Sequence, residues 1–339
     1  WFTFNISWNN FILHLVNNNY IMKNSYSNIF VFNKKTLKKA VDYLSKSNVV
    51  GLPTETVYGL GGNAYSKKSI KKIFRLKGRP KFNPLIIHYY SLKDAVKDIF
   101  INNHFIKLYK KFCPGPITFI LKKKNGSKIN PLSLAKLKTI AVRFPKHKIT
   151  RSILKEIKFP LAMPSANKST GISPVSARDV FEEFQKKIPL IINGGVSKIG
   201  IESTVIDLTA YPKILRPGRI HKNLIEKTLK IKMKKNIKNR SIKSPGMMKK
   251  HYSPGIPVLI NQKKYDGESA FIYLGHRYKN KKKFFSLSKN SSLDEAASNL
   301  YKTFRLIKKK GYKKIQISKI PNVGSGIAIN DRIKRASKS

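Results

Sequence analysis

The one cysteine of this 339-residue chain, Cys113, has no partner for an internal disulfide, and nothing calls for an oxidising compartment. Seven histidines are scattered without metal-ligand spacing, which excludes a structural zinc site, and no metal held by protein ligands is expected. No apolar run is long enough for a membrane-spanning helix, so a membrane is not an expected partner. Three catalytic signatures are also missing: the Gly-x4-Gly-Lys-Ser/Thr phosphate loop, the dinucleotide glycine fingerprint and the Gly-x-Ser-x-Gly nucleophile elbow.

Acids are scarce. Sixteen Asp and Glu face seventy Lys and Arg, a formal charge of +54. Such a balance has the form of a nucleic-acid binder. Fifty-eight of the bases are lysine and twelve arginine, however, and asparagine and isoleucine abound. That mixture fits A/T-rich coding, whereas phosphate recognition favours the bidentate arginine fork. The lysines therefore read as solvated faces. Glu55 and Glu202, inside motifs, stand out against them.

An apolar content of 41% over this length supports a sizeable core and two domains. Trp1 to Ile21 precedes Met22 and has neither the basic start nor the small-residue cleavage site of a secretory signal. It reads as upstream in-frame translation or an unstructured extension. The expected division is an N-terminal extension (1–28), a catalytic α/β domain (29–221), a linker (222–257) and a small C-terminal α/β domain (258–339).

Leu37, Ala40, Val41 and Leu44 recur at helical spacing, and Ile70, Ile73 and Phe74 mark a helix ending near Gly78 and Pro80. Further helices are predicted at Leu92–Phe112, Lys148–Ile157 and Val175–Gln185. Strands are predicted at Val49–Leu52, Pro84–His88, Ile117–Leu121, Thr139–Phe144, Leu190–Ile192, Thr204–Leu208 and Ile214–Arg216. The interleaving implies a mixed sheet. Lys222–Pro257 is lysine-rich and holds two Ser-Pro-Gly runs, hence the linker. Beyond it, strands at Val258–Ile260, Phe271–Leu274 and Lys314–Ile317 alternate with helices at Leu293–Leu306 and around Ile327–Ile333.

Four segments could carry chemistry. Gly51 to Gly62 runs from a strand through Pro53 into hydroxyls, Glu55 and glycines, which suits either an ordinary turn or a small polar ligand at close approach. In Lys77-Gly78-Arg79-Pro80, proline makes Arg79 extended; were Lys77 extended too, both cations would converge on one side, as a polyphosphate requires. Asn83 and His88 follow. Pro164-Ser165-Ala166-Asn167 ends a strand, and i, i+2 spacing aims Ser165 and Asn167 at one space. Thr139 and Arg143 share a strand face. Arg143, in an apolar strand, requires an acid, either a protein carboxylate or a substrate's. Gly200 to Val205 and Leu215 to Gly218 are weaker.

In order, the stretches PTETVYGLG, KGRP..NPLIIH, PGPITFIL, TIAVRFP, PSANKSTGISP, GIESTVIDLT and ILRPG resemble the YrdC-like threonylcarbamoyl-AMP synthase family over residues 49–218. SPGMMKKHYSP and the last domain are similar to its longer, two-domain form. The resemblance implies a twisted open mixed sheet with helices on both sides. It places L-threonine at Thr56, His88, Arg143, Ser165 and Ser203. ATP falls at Arg79, Asn83, Thr139, Asn167, Ser173, Arg216 and Tyr252, with Lys77 at the phosphates. Val175 departs from the family's pattern, which has a hydroxyl there. Lys77, Arg79 and Arg143 would be catalytic. The implied reaction makes threonylcarbamoyl-AMP and pyrophosphate from L-threonine, bicarbonate and ATP, with Mg2+ on the triphosphate and no tightly bound cofactor. The product would serve N6-threonylcarbamoyl modification of adenosine 37 in tRNAs that read codons beginning with A. Expected partners are the tRNA threonylcarbamoyltransferase machinery and a weak tRNA contact, in the cytoplasm. Two rivals are an RNA-binding module and a carbamoyltransferase of hydrogenase maturation. The motif hydroxyls and His88 count against the first, the lone cysteine against the second.

Overall fold

The structure is a computed structural model and describes residues 26–233, 251–278 and 281–338. Most of the expected extension, and the linker's 234–250, lie outside these residues. The extension's last residues join the fold: Tyr26 packs edge-on against Phe181, and the Asn28 amide donates to Gln185 and Ile188 carbonyls.

Ten strands form a mixed sheet in the order β1 (Ile29–Val31), β8 (Ile191–Asn193), β2 (Val49–Leu52), β3 (Gly59–Asn63), β7 (Leu161–Ala162), β4 (Ile86–His88), β6 (Thr139–Arg143), β5 (Ile117–Lys122), β9 (Thr204–Asp207) and β10 (Lys213–Arg216). Half of this sheet is covered on both faces. Val49, Leu60, Ala162 and Ile191 pack against helices 67–77 and 177–184, while Val50, Leu52, Leu161 and Ile192 pack against helices 34–45 and 148–156. The other half differs between its faces. Ile87, Phe119, Leu121, Ile140, Val142 and Ile206 point into the main core. On the opposite face lie a small apolar cluster, Ile86, Ile120, Ala141, Val205 and Leu215, and a row of polar residues. Period-2 alternation dictates this, since His88, Arg143 and Thr118 each stand two residues from a member of that cluster. Register completes the row, with His88 opposite Arg143 and Arg143 opposite Thr118.

Two elements depart from expectation. The helix predicted over Leu92–Phe112 is two helices, Leu92–Ala95 and Asn103–Phe112. Between them Asp98 is buried and accepts from the Tyr89 and Ser127 hydroxyls at 2.9 and 2.6 Å, and Asn102 caps the second helix. These tertiary bonds outweigh the local apolar period. The glycine-rich stretch also forms a strand, β3, in which Gly61 and Gly62 admit neighbouring side chains: a Cβ at Gly62 would stand 3.1 Å from Ile73.

The C-terminal part holds a four-stranded parallel sheet, ordered β11 (Val258–Leu259), β14 (Ile315–Ile317), β12 (Ala270–Tyr273) and β13 (Phe284–Ser286), with helices Leu293–Lys309 and Ser325–Ala336. The expected linker starts as ordered structure. Helix Lys222–Leu229 follows at once, and its Ile225 and Leu229 are buried in the main core. The two parts share a second core, in which Val57, Ile172, Val175 and Ile201 join Tyr252, Tyr301, Phe304 and Ile329.

Candidate active site

The polar row faces a cavity closed above by the segment entering the C-terminal domain. Its lining includes Thr54, Tyr58, Arg79, His88, Arg143, Ser165, Glu202, Arg216, His251 and Tyr252, and about 40 Å³ remains open. Three arginines far apart in sequence thus meet at one hollow. They arrive on different elements: Arg79 just past a helix end, Arg143 at the end of β6 and Arg216 at the end of β10.

Each arginine is fixed by hydrogen bonds. Arg79 donates to the Asn83 carbonyl at 3.0 Å, the Asn83 side-chain oxygen at 2.6 Å and the Pro84 carbonyl at 2.8 Å. Gly78, at φ 56°, makes the left-handed turn that frees Arg79 from the helix. Arg143 pairs with Glu55 at 2.7 Å, and Lys146 N–H donates to the second Glu55 oxygen at 3.0 Å. Of the two acids the sequence left open, a protein carboxylate is present. The Arg143 Nε remains buried without a partner. Arg216 donates to the Ser203 carbonyl and hydroxyl, both at 3.1 Å, and that hydroxyl lies 2.7 Å from Thr118.

Lys77 is not extended as the convergence argument required. It is the last residue of helix Lys67–Lys77, and its ammonium turns to the carbonyls of Ser165 and Asn167. Helical continuity through position 77 separates its direction from that of Arg79. Burial, then Arg79, pushes its pKa well down. Burial and Arg216 lower Arg79 to about 9. His88 falls well below the usual histidine range through burial and Arg143, so it is neutral at pH 7.

The remaining sequence candidates are distributed unevenly. Ser165 and Tyr252 line the cavity. Thr56 stands behind Thr54, hydroxyl to hydroxyl at 2.9 Å, and Ser173 donates to Glu202 at 2.5 Å. Asn167 is not part of that lining; its amide donates to Lys168 and Gly171 carbonyls and shapes its own loop. Thr139 lies four residues from Arg143, roughly 13 Å along the strand, outside the lining. Thr54 and His251 escaped the sequence reading. His251 is held at about 3, mainly by burial, and its adjacency to Tyr252 was the available signal. Among the described residues no group of three His, Cys, Asp or Glu could hold a metal.

Residues 42–218 match the family described as telomere recombination (Sua5, YciO and YrdC proteins), and residues 220–338 match the threonylcarbamoyl-AMP synthase C-terminal domain. The chain belongs to this family. A threonylcarbamoyl-AMP synthase of Pyrococcus abyssi is 36% identical over 89% of this chain and 94% of its own length. One from Bacillus subtilis is 33% identical over 90% and 94%. The crystal structure of P. abyssi Sua5 complexed with L-threonine superposes with a TM-score of 0.83 at 33% identity, covering 91% of this chain and 97% of that one. The expected α/β architecture and nucleotidyltransferase activity are thereby established: this chain is a two-domain threonylcarbamoyl-AMP synthase. No helix of the described part of the synthase is long and apolar enough to cross a membrane.

Proposed function

We propose that the cavity seats L-threonine beside the triphosphate of ATP and aligns them for nucleotidyl transfer. The convergence of Arg79, Arg143 and Arg216 carries this reading. Arg143, with Glu55 on one side and a spare Nε, takes the threonine carboxylate, flanked by His88, Ser165, Ser203 and, through Thr54, Thr56. Arg79, steadied by Asn83, and Arg216 take the phosphates. Lys77 acts there through the carbonyls of the 165–167 turn, which Asn167 shapes. Ser173, held in place by its bond to Glu202, lies on the nucleotide side, Tyr252 covers the nucleotide, and Thr139 is placed at its far end.

Threonine's amine captures CO2 from bicarbonate as a carbamate; a carbamate oxygen attacks the α-phosphorus; pyrophosphate leaves. No protein nucleophile is required. Alignment and cations aimed at the developing phosphate charge supply the acceleration. Both nearby carboxylates are committed to arginines, Glu55 to Arg143 and Glu202 to Arg332, so Mg2+ would travel on the triphosphate's oxygens and water. The product is an activated donor for modification of tRNA adenosine 37, which makes a tRNA threonylcarbamoyltransferase, in the cytoplasm, its consumer.

With about 40 Å³ open, neither substrate fits beneath His251 and Tyr252 as they stand. The roof therefore lifts to admit them and closes afterwards. Its tie is the Ser253 N–H on the Thr170 carbonyl at 2.8 Å. Slower hydrogen exchange at Ser253 with ATP and threonine present is the expected sign; unchanged exchange removes the closure. The central test is pyrophosphate release with threonine, bicarbonate and ATP omitted in turn. Release should require all three, and release without threonine overturns the reading.

A further inference from the structure

The cavity contains one feature at odds with binding an anion. Glu202 lines it, beside Arg216, and a carboxylate there opposes a triphosphate. Its charge is answered from the other domain. Arg332, on helix Ser325–Ala336, is wholly buried and donates from Nε to Glu202 at 3.0 Å. A second nitrogen donates to the Pro217 carbonyl at 2.7 Å and to Asp331 at 3.0 Å, an acid whose charge Arg335 answers from the same helix. The Tyr301 hydroxyl lies 3.1 Å from both Glu202 oxygens. The Arg332 guanidinium also sits 5.3 Å from the centre of the Tyr252 ring, beneath the roof.

We propose that Arg332 is a positioning residue of the active site: it holds the Glu202 carboxylate and cancels its charge, which leaves Arg79 and Arg216 to act on the triphosphate. This rests on the assignment of ATP to those two arginines. The charge count explains why the pair is ionic at all. Replacing a buried ion pair by apolar groups is often neutral or stabilising, and the surrounding interface is already apolar. Removing Arg332 alone leaves Glu202 uncompensated, and Arg216 is the cation within its reach. The carboxylate then competes with the phosphates, and the cavity loses one net positive charge. The C-terminal domain thus contributes to catalysis without touching substrate. Threonine, whose carboxylate is taken by Arg143 with Glu55 as that arginine's own partner, is the less affected substrate.

The test is steady-state pyrophosphate release by the full chain, with KM for ATP and for threonine measured separately. Arg332→Met should raise the ATP KM fivefold or more and the threonine KM less than fivefold, a split that general loosening would not produce. Adding Glu202→Gln in the same chain removes the orphan charge and should return the ATP KM to within fivefold of the parent. If Arg332→Met alone does not fold, the double variant carries the test on the same threshold. A double variant at or beyond fivefold, or ATP and threonine KM rising together, overturns the inference. Arg216→Ala is measured alongside. An unchanged ATP KM there removes the underlying ATP assignment; a raised one, with Arg332→Met unmoved, overturns the Arg332 role alone.

Discussion

Arg143 stands in an apolar strand where an unpaired guanidinium would cost several kcal/mol. That cost made it legible in the sequence, and Glu55 at 2.7 Å meets it. Because the pair uses one end of the guanidinium, Arg143→Ala has two expected effects. Loss of a charge-assisted contact, about 1.5–3 kcal/mol, should raise the threonine KM about ten- to a hundredfold with little change for ATP. Glu55, left half-buried with only the Lys146 N–H, should lower the melting temperature. An unchanged threonine dependence of pyrophosphate release would take Arg143 out of that pocket. Arg79→Ala should slow turnover on the order of a hundredfold, by analogy with lost transition-state donors, and Lys77→Ala by a similar factor through the loosened 165–167 turn. Near-parental turnover refutes the phosphate roles. Spacing placed Ser165 and Asn167 on one side, but spacing does not reveal that a side chain has its own loop to satisfy. Direction, unlike face, depends on partners from distant segments.

At the scale of elements, strands of strict alternation were readable because each buries one face in a different cluster. The break at 96–102 was not, since it depends on Tyr89 and Ser127 reaching Asp98. The contact between domains was equally hidden, and one glycine shows its tightness. Gly200 has φ +75°, and a Cβ there would stand 2.5 Å from the Ser298 backbone on helix Leu293–Lys309. Both backbone strain and a backbone clash oppose any side chain. Gly200→Ala is expected to cost about 2 kcal/mol or more in urea unfolding. Gly126→Ala, where nothing lies within 4 Å, should stay within about 0.5 kcal/mol. Equal stabilities for the two variants would mean that the domains approach less closely.

Across the whole molecule, burial separates the two cations, so unequal in number. Among the described residues Arg79, Arg143, Arg216 and Arg332 are buried, and Lys77 is the only buried lysine. The described lysines lie largely on the surface, while Arg79, Arg143 and Arg216 line the cavity. Concentrating ionisable groups inside has a consequence in acid. His251 titrates at about 3 in the folded protein because burial disfavours its charged form, against about 6.5 in an unfolded chain. Between those values the unfolded state holds the extra proton, so stability falls as pH falls, beginning near 6.5. From pH 7 to 5 this one group accounts for about 2 kcal/mol. His88, lowered by burial and Arg143, adds a loss of the same sign. Glu202, at about 2 because Arg332 and Arg216 outweigh its burial, adds its own only below about pH 4.5. Urea unfolding at pH 7 and pH 5 should therefore show a marked decline in the parent. In His251→Gln that decline should be smaller by about 2 kcal/mol, as the variant has no proton to take up at that position. An identical decline in both would show that position 251 is open to water and that the roof does not bury it.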